Sequence, residues 1–515
     1  MAKDQQHPVL YLAAFLFVSY IIYNRLSLYI TRRRIIKQHG CLPNPHQFNK
    51  DPILGLDALR INIHHAKNRS ILDAQLRRYE QYKSNTFMSR MMTMPMISTI
   101  EPENVKTVLS LKFKDYSFGA RKQAFAPLLG NGIFNADGER WANSRHLLRP
   151  NFAREQVADL VAFERHMQLL LKALKQKNGQ VLDLQEYFFR FTIDTATEFL
   201  FNHSTASLRM MVEGTDNEKN EDAVFAKAFT VAQADVLTRI RLGFLDKFRQ
   251  NKEGNDAIKI CHEYVEQFVD DAIRWREEKD AEKAAGAEKE EERYVFIHEL
   301  AKQTNDKKRI RDELTNVLLA GRDTTASLLS NMFFEISSKP EIWKKLREEV
   351  ATLDGRLPTY EELKNMKYLK WCLNESLRIH PVVPGNSRYA IRDTVLPLGG
   401  GPDGKAPLFV PAGTLVGYST YSMHRRTDYF GADADIYRPE RWEHLRPGWE
   451  YLPFNGGPRI CLGQQYALTE AGYVTVRLVQ EFKEVVLKDE TGVWVEGLTL
   501  TCCSGNGVKV ALTPV

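Results

Sequence analysis

The spacing of hydrophobic residues at the start of the chain predicts a membrane helix. Residues Val9–Tyr23 read VLYLAAFLFVSYIIY without a charge, and a shorter apolar run, Leu26–Ile30, follows Asn24 and Arg25. A helix that spans a membrane needs about 20 residues, or fewer where flanking side chains reach the interface. Residues 1–30 are therefore predicted to be an N-terminal membrane anchor.

The charges beside this run predict its orientation. Lys3 and Asp4 precede it, whereas a cluster of arginine and lysine follows it within residues 32–37. The positive-inside rule then places the rest of the chain in the cytosol. A cleaved signal peptide is the alternative, but no small-residue cleavage site follows. Residues 31–50 contain this basic cluster and, after it, the stretch GCLPNP. They are predicted to be a basic, proline-bearing hinge.

Beyond the hinge, the periodicity predicts a mainly α fold with a small β region, as one domain over residues 51–515. Most of the span 68–350 has apolar residues at helical spacing, for example Val157–Leu174. Short apolar runs bounded by turn residues predict strands from about Ser387 to Thr420. Within them GGGPDGK predicts a hairpin turn, because the next residue lacks the hydroxyl of a phosphate-binding loop. Helices are predicted again after Cys461.

Composition narrows the class of protein. The 515 residues are 43% hydrophobic and 26% charged, which is ordinary for a globular protein. A net charge of +6, evenly spread, fits a membrane surface or an acidic protein better than nucleic acid. The six cysteines have no CxxC or paired Cys/His spacing, so neither a disulfide framework nor a zinc site is predicted.

One cysteine stands in a distinctive loop, FNGGPRICLG, just before a predicted helix over Leu462–Phe482. Backbone N–H groups at a helix N-terminus favour the thiolate form. Glycines let a backbone pass close to a flat cofactor, and an arginine can pair with its anionic groups. A small buried cysteine is the alternative. The pattern FxxGxRxCxG is formed by Phe454, Gly457, Arg459, Cys461 and Gly463.

A second motif, AGRDTT, lies inside the predicted helix 311–338. A glycine within a helix costs ~1 kcal/mol relative to alanine, and Gly321 shares a helix side with Thr324. The missing side chain would leave room for a small molecule above a cofactor. A bond from Thr324 to a carbonyl one turn earlier would bend the helix. The alternative is a helix-packing glycine beside a surface Asp–Thr pair.

Two further spacings place charged or aromatic residues on one helix face. ESLR contains Glu375 and Arg378, and PERW, with Arg441, follows before the cysteine loop. WANSR places Trp141 and Arg145 one turn apart. Taken alone, the first is an exposed ion pair that contributes under ~1 kcal/mol, and the second is a packing tryptophan beside a surface arginine.

Together these motifs resemble the signature of the cytochrome P450 family, over essentially the whole chain after the hinge. The resemblance implies haem b with Cys461 as the axial ligand of its iron, a ligand that favours O–O cleavage. It implies that Thr324 and Asp323 are the alcohol and acid of oxygen activation. It also implies haem contacts for Phe454, Gly457, Gly463 and Gly321, and propionate contacts for Trp141, Arg145, Arg388 and Arg459. Glu375, Arg378 and Arg441 would form a buried structural triad.

Three longer stretches, PLLGNGIFNADGERW, LLAGRDTTASLLS and FNGGPRICLGQQYALTEAGYV, resemble the fungal subfamily that hydroxylates n-alkanes and fatty acids at the chain end. By this resemblance the substrate pocket is formed by residues 116–134, 223–248, 316–320, 382–387 and 500–504. The alternatives are another apolar substrate of fungal secondary metabolism or a xenobiotic, a peroxide-rearranging enzyme, and a haem-based sensor or carrier. A sensor or carrier would have no use for the acid–alcohol pair.

Electrons are expected from outside, because no dinucleotide-binding fingerprint occurs in a βαβ context. The resemblance implies NADPH–cytochrome P450 reductase, a separate flavoprotein on the same endoplasmic reticulum membrane, with cytochrome b5 as a further candidate partner. Arg140, Arg145, Arg149 and the region around Arg459 could form a basic docking face. Membrane lipid and an apolar small molecule complete the expected partners, and no nucleic acid is expected.

Overall fold

The structure is a computed structural model that describes residues 6–51, 53–91, 94–153, 160–215, 220–285 and 294–515. Its α-helices are α1 Gln6–His39, α2 Leu56–Lys67, α3 Ile71–Tyr82, α4 Pro102–Lys106, α5 Arg121–Leu129, α6 Gly138–Leu148, α7 Val161–Lys175, α8 Leu184–Phe201, α9 Ser207–Glu213, α10 Glu221–Leu242, α11 Lys252–Ala284, α12 Phe296–Gln303, α13 Lys307–Ser337, α14 Pro340–Val350, α15 Tyr360–Asn365, α16 Lys367–Ile379, α17 Thr420–Met423, α18 Thr427–Phe430 and α19 Gln464–Glu481. Its strands are β1 Thr86–Met91, β2 Met94–Thr99, β3 Tyr116–Ser117, β4 Leu182–Asp183, β5 Gly385–Ala390, β6 Thr394–Gly400, β7 Ala406–Val410, β8 Leu415–Ser419, β9 Phe482–Leu487, β10 Glu496–Leu498, β11 Cys502–Ser504 and β12 Lys509–Pro514. The predicted mainly α fold with a small β region is confirmed.

The N-terminal helix is longer than the predicted anchor. α1 continues through the basic cluster of the predicted hinge, because no proline or glycine occurs between Pro8, in its first turn, and Gly40, whose φ of +62° ends the helix. Within it Leu10–His39 is apolar and long enough to cross a membrane, with a mean hydropathy of 1.4 over its most apolar part. None of that part is buried in the protein.

One compact unit contains the chain up to Asn62 together with residues 77–117 and 387–418. Its main sheet has the strand order β1-β2-β8-β5-β3, and β6 and β7 form a separate antiparallel hairpin closed by the GGGPDGK turn. The strands predicted between Ser387 and Thr420 and the turn are thus confirmed. The hairpin β1–β2 lies within the span 68–350, most of which was predicted as helix. β1 and β2 pair with each other, and β2 also pairs with the distant strand β8.

This unit also holds the end of α1. The Arg32 guanidinium donates from Nε and Nη2 to the Asp393 carboxylate, both at 3.0 Å. The N–H of Leu42 donates to the carbonyl of Pro407 on β7 at 3.0 Å. Residues 31–50 are therefore attached to the β region through side chains and backbone.

The second compact unit contains residues 63–76, 118–386 and 419–515. α13 runs through it, packed against α8 and α19, with most of its side chains buried. The predicted helix Val157–Leu174 is α7, which is described from Val161, and residues 157–159 lie outside the described residues. Strands β9–β12 were not predicted, because they are short. β12 also pairs with the distant strand β4, whereas β10 and β11 form a local antiparallel pair.

Candidate functional site

The cysteine loop is closed by its own backbone. The N–H of Cys461 donates to the carbonyl of Phe454 at 3.0 Å, across one turn of 3-10 helix, Gly457–Arg459. α19 begins at Gln464, which confirms the predicted helix after the loop. The loop therefore presents the cysteine at the N-terminal end of a long buried helix.

The Cys461 thiol is accessible and yet surrounded by protein. It forms part of the wall of a cavity of about 600 Å³, with Arg145, Arg149, Phe152 and Leu462 among the other lining residues. Burial raises the pKa of the thiol, while the Gly463 N–H and the charge of Arg145 lower it. The predicted effect of the helix end is present, since the Gly463 N–H lowers the pKa, but the effect of burial is larger and the pKa is raised overall. A bound metal cation would supply the missing stabilisation.

The glycines of the cysteine loop differ in backbone conformation and in packing. Gly457 has a φ of +67°, a conformation that favours glycine. A Cβ on Gly456 would lie 2.8 Å from the ring of Trp449, so this glycine, which the motif analysis did not single out, is required by packing. A Cβ on Gly463 would make only an ordinary contact, 3.6 Å from Phe152. The role of Gly463 beside a cofactor stays a prediction.

The structure brings Arg459 and Trp141 together. The Arg459 guanidinium lies 4.5 Å from the centroid of the Trp141 ring and 4.3 Å from that of Phe118. It also donates to the Asp137 carboxylate at 2.8 Å, and Lys122 is 3.0 Å from that carboxylate. Asp137 was not predicted, because a lone Asp before a glycine is typical of any helix start. A propionate would share these cations with Asp137.

The other two predicted propionate partners lie in different units. Arg145 donates to the Ile460 carbonyl, the residue before the cysteine, at 3.0 Å. Arg388 lies buried on β5 and donates to the Ser387 carbonyl at 2.8 Å. Arg145 is thus tied to the cysteine loop, and the role of Arg388 stays a prediction.

The middle of α13 has the predicted back-bond. The Thr324 hydroxyl donates to the Ala320 carbonyl at 2.7 Å, which leaves its oxygen free to accept. A Cβ on Gly321 would lie 3.4 Å from the Cβ of Ala196 on α8. This contact supports the alternative that Gly321 allows close packing of α13 against α8. The predicted contact of Gly321 with a cofactor stays a prediction.

Asp323 is buried, so the alternative of a surface Asp–Thr pair is wrong. Only 3% of the residue is exposed, and its Oδ1 lies 3.4 Å from Nη1 of Arg322. Burial raises the pKa of the carboxyl, while Arg322 and Gln233 lower it. The carboxyl consequently keeps its proton to higher pH than an exposed aspartate does.

The predicted triad is a fully buried network, not an exposed ion pair. The Glu375 carboxylate accepts from Arg378 at 2.9 and 2.8 Å, from Arg441 at 3.2 Å, from the Trp442 indole at 2.9 Å and from the Arg438 N–H at 2.9 Å. Every polar group of the carboxylate is satisfied, so the charges are held by protein alone.

His424 connects this network with the cysteine loop, and the sequence analysis missed it. The His424 carbonyl accepts from Arg378 at 2.9 Å, and its Nε2 accepts from the Leu452 N–H at 2.9 Å, two residues before Phe454. Burial and nearby positive charge lower the pKa of His424 to about 3. No sequence motif marks this histidine, because its role depends on residues far apart in the chain.

One apolar cluster joins four of the five predicted pocket segments. It contains Leu128, Phe229 and Leu319, and Phe125, Ile133, Leu462 and Leu500 pack against it partly buried. Leu128 and Leu129 are completely buried and belong to the core. Val382, from the remaining segment 382–387, belongs to another apolar cluster. The cluster reaches Leu462, next to the cysteine.

These residues fit the haem expected from the sequence. A single accessible thiol lies in a cavity with apolar side chains, as a flat hydrophobic cofactor requires. Arg145 at the cavity and the nearby pair of Arg459 and Lys122 supply cations for carboxylate groups. Within the described residues no cluster of three or more His, Cys, Asp or Glu could hold a metal ion instead.

Known proteins match the chain along almost its whole length. The profile of the family described as cytochrome P450 matches residues 58–495. Cytochrome P450 monooxygenase himC of Aspergillus japonicus is 48% identical, over 96% of this chain and 88% of its own. Cytochrome P450 52A13 of Debaryomyces hansenii is 42% identical, over 97% of this chain and 96% of its own length. Cytochrome P450 52A3-B of Candida maltosa is 44% identical, over 91% of each chain.

Proposed function

The chain belongs to the cytochrome P450 family and is a monooxygenase, and we propose that it oxidises an aliphatic chain, most simply at the terminal carbon of an n-alkane or fatty acid. The observation that carries the proposal is the apolar cluster that runs from the predicted pocket segments to Leu462. Its partly buried members, which include Phe125, Ile133 and Leu500, would offer an unbranched apolar chain a lining without unpaired polar groups. The resemblance of the three long stretches to the subfamily of terminal hydroxylases supports the same class.

Each proposed residue has a defined task. The haem supplies the oxygen-activating iron, and a Cys461 thiolate would donate electron density that favours O–O cleavage. Thr324, with its proton directed to Ala320, has free lone pairs that can accept from a proton donor. Asp323, buried and with a raised pKa, would supply that proton. Glu375, Arg378, Arg441 and His424 would keep the cysteine loop in position.

The location and the partners are part of the proposal. α1 would anchor the protein in the endoplasmic reticulum membrane, and the basic residues 32–37 would keep the catalytic domain on the cytosolic side. Electrons would come from NADPH through the separate reductase, with cytochrome b5 as a second donor. Arg140 and Arg149, both exposed, are candidates for the docking face.

Turnover in membranes tests the substrate. Reductase-containing membranes with this protein would receive NADPH and a mixed series of medium- to long-chain alkanes and fatty acids, with products identified by mass spectrometry. Terminal alcohols or diacids are expected. The matched control is membranes with Cys461→Ala, which lack the thiolate.

Two outcomes would argue against the proposal. No oxidation of any aliphatic chain, in a sample whose reduced CO complex shows an intact haem-thiolate, would discard the aliphatic substrate and favour a secondary metabolite. Stable CO binding without NADPH consumption on any substrate would favour a sensor or carrier.

A further inference from the structure

Arg322 occupies an unusual place for a charged residue. It lies in the middle of α13, and only 12% of its side chain is exposed. Its Nη2 donates to Thr230 Oγ1 on α10 at 2.9 Å, and its guanidinium lies 5.6 and 5.7 Å from the ring centroids of Phe189 and Phe229. Contacts on α8 and α10 therefore fix the position of the guanidinium.

The other side of the same guanidinium faces Asp323. Adjacent residues of a helix do not normally face each other, yet Nη1 of Arg322 lies 3.4 Å from Oδ1 of Asp323. Gln233, one turn after Thr230 on α10, also faces the acid. A single cation is thus shared between a hydroxyl on α10 and a buried carboxyl on α13.

This cluster is polar but incompletely paired. Among the described residues, Arg322 Nε, Asp323 Oδ1 and Gln233 Nε2 are buried and have no hydrogen bond of good geometry, although Oδ1 forms the ion pair with Nη1 and Gln233 is close enough to lower the pKa of the acid. Buried polar groups are normally paired, so these three atoms need an explanation. Such an arrangement can change with a small movement, because each atom has capacity for a further bond.

Two neutral thiols lie near the acid and the arginine. Cys503 on β11 is near enough for Asp323 to raise the pKa of its thiol, and burial holds that pKa at about 12. Cys261 on α11 faces Arg322, and burial holds the pKa of this thiol at about 12 as well. Both thiols are uncharged at physiological pH. Arg322 is then the charged group that acts on Asp323.

We propose that Arg322 is a positioning residue that links α10 to the proton supply: its guanidinium joins Thr230 to Asp323, so the position of α10 decides how firmly Asp323 holds its proton. The inference rests on the proposed function of Asp323. Residues 223–248 are the segment predicted to bind substrate, so a substrate that moves α10 would change the acid. Asp323 gives one proton toward the Thr324 hydroxyl and regains one from water, which has access at the exposed Thr230.

Infrared titration of the full-length ferric protein in detergent tests this link without substrate or reductase. The carboxyl C=O band of Asp323 is assigned by its loss in Asp323→Asn. In Arg322→Gln the titration midpoint should rise by about one pH unit or more, because the neighbouring cation is gone. In Thr230→Val the guanidinium is free to move to the acid, so the midpoint should fall.

Thr238→Val is the matched control. Thr238 lies on the same exposed side of α10, and its hydroxyl donates to the Ala234 carbonyl at 2.9 Å, as that of Thr230 donates to Ala226 at 3.1 Å. This variant should leave the midpoint unchanged. The solvent isotope effect on product formation should increase in Arg322→Gln, because the loss of this cation alters proton delivery.

The outcomes separate this inference from the substrate proposal. An unchanged midpoint in both Arg322→Gln and Thr230→Val overturns the link, whatever the enzyme oxidises. If Arg322→Gln does not fold, Thr230→Val alone decides by the direction of its shift. Shifted midpoints in a protein that oxidises no aliphatic chain would uphold the link and reject the substrate class.

Discussion

The Glu375 network offers the sharpest test of how the cysteine loop is held. Glu375→Gln keeps the size of the side chain but removes the charge that Arg378 and Arg441 share. Both arginines are buried, with 0% and 7% exposed, and Asp433, one-third exposed, is the carboxylate that still pairs with Arg441. The new amide NH2 would also face N–H donors that now bond to Oε2, such as the Trp442 indole.

The expected loss is large for one substitution. Removing one partner of a buried ion pair costs about 3–5 kcal/mol, because the other charge remains unpaired in the interior. The whole free energy of unfolding of a domain is about 5–15 kcal/mol. The variant should therefore melt about 5–10 °C below the wild type, and it should lose haem at lower temperature than the wild type does.

Thermal melting of both proteins, followed by far-UV circular dichroism and by the Soret band, measures this. The control is Glu186→Gln, which breaks an exposed i,i+4 pair with Arg190 at 3.2 Å and should cost at most about 0.5 kcal/mol. The reasoning would be refuted if Glu375→Gln melted as close to the wild type as the control does.

Three further predictions follow from the same contacts. Thr324→Ala should release more peroxide and form less product per NADPH. Ser330→Ala, which loses a similar back-bond to Ala326 at 2.7 Å, should keep NADPH consumption coupled to product formation. Equal coupling in both variants would remove Thr324 from the mechanism. Cys461→Ala should lose the thiolate-type spectrum of the reduced CO complex, which the buried Cys261→Ala should retain. Because the pKa of His424 is lowered, the unfolded chain binds one more proton than the native protein between about pH 3 and 6.5. The contribution of His424 to the free energy of unfolding is therefore complete above this pH range. It falls by about 1.4 kcal/mol per pH unit as the pH decreases through the range. His424→Gln should show a smaller slope in urea titrations over that window, and an identical slope would contradict the assignment.

Much of the fold followed from local patterns. The apolar run in α1, the helical spacing around the cysteine loop and the turn residues of the β6–β7 hairpin each act over a few neighbours in the chain. Strands β1 and β2 and the C-terminal strands β9–β12 were not predicted, and two of them pair with strands far away in the chain, β2 with β8 and β12 with β4. Arg32 illustrates the same limit, because its partner Asp393 cannot be inferred from the sequence around either residue.

The candidate site divides in the same way. The sequence by itself predicted Cys461 as the iron ligand and Thr324 and Asp323 as the alcohol and acid, and it identified the members of the triad, because these predictions depend on residue types and short spacings. Only the tertiary structure decided that Asp137 shares Arg459, that His424 joins the triad to the cysteine loop, and that Arg322 lies between α10 and Asp323. Burial also raises the pKa of Cys461 and of Asp323, while their local polar partners lower it. Desolvation depends on every surrounding segment at once, so no short stretch of sequence contains it.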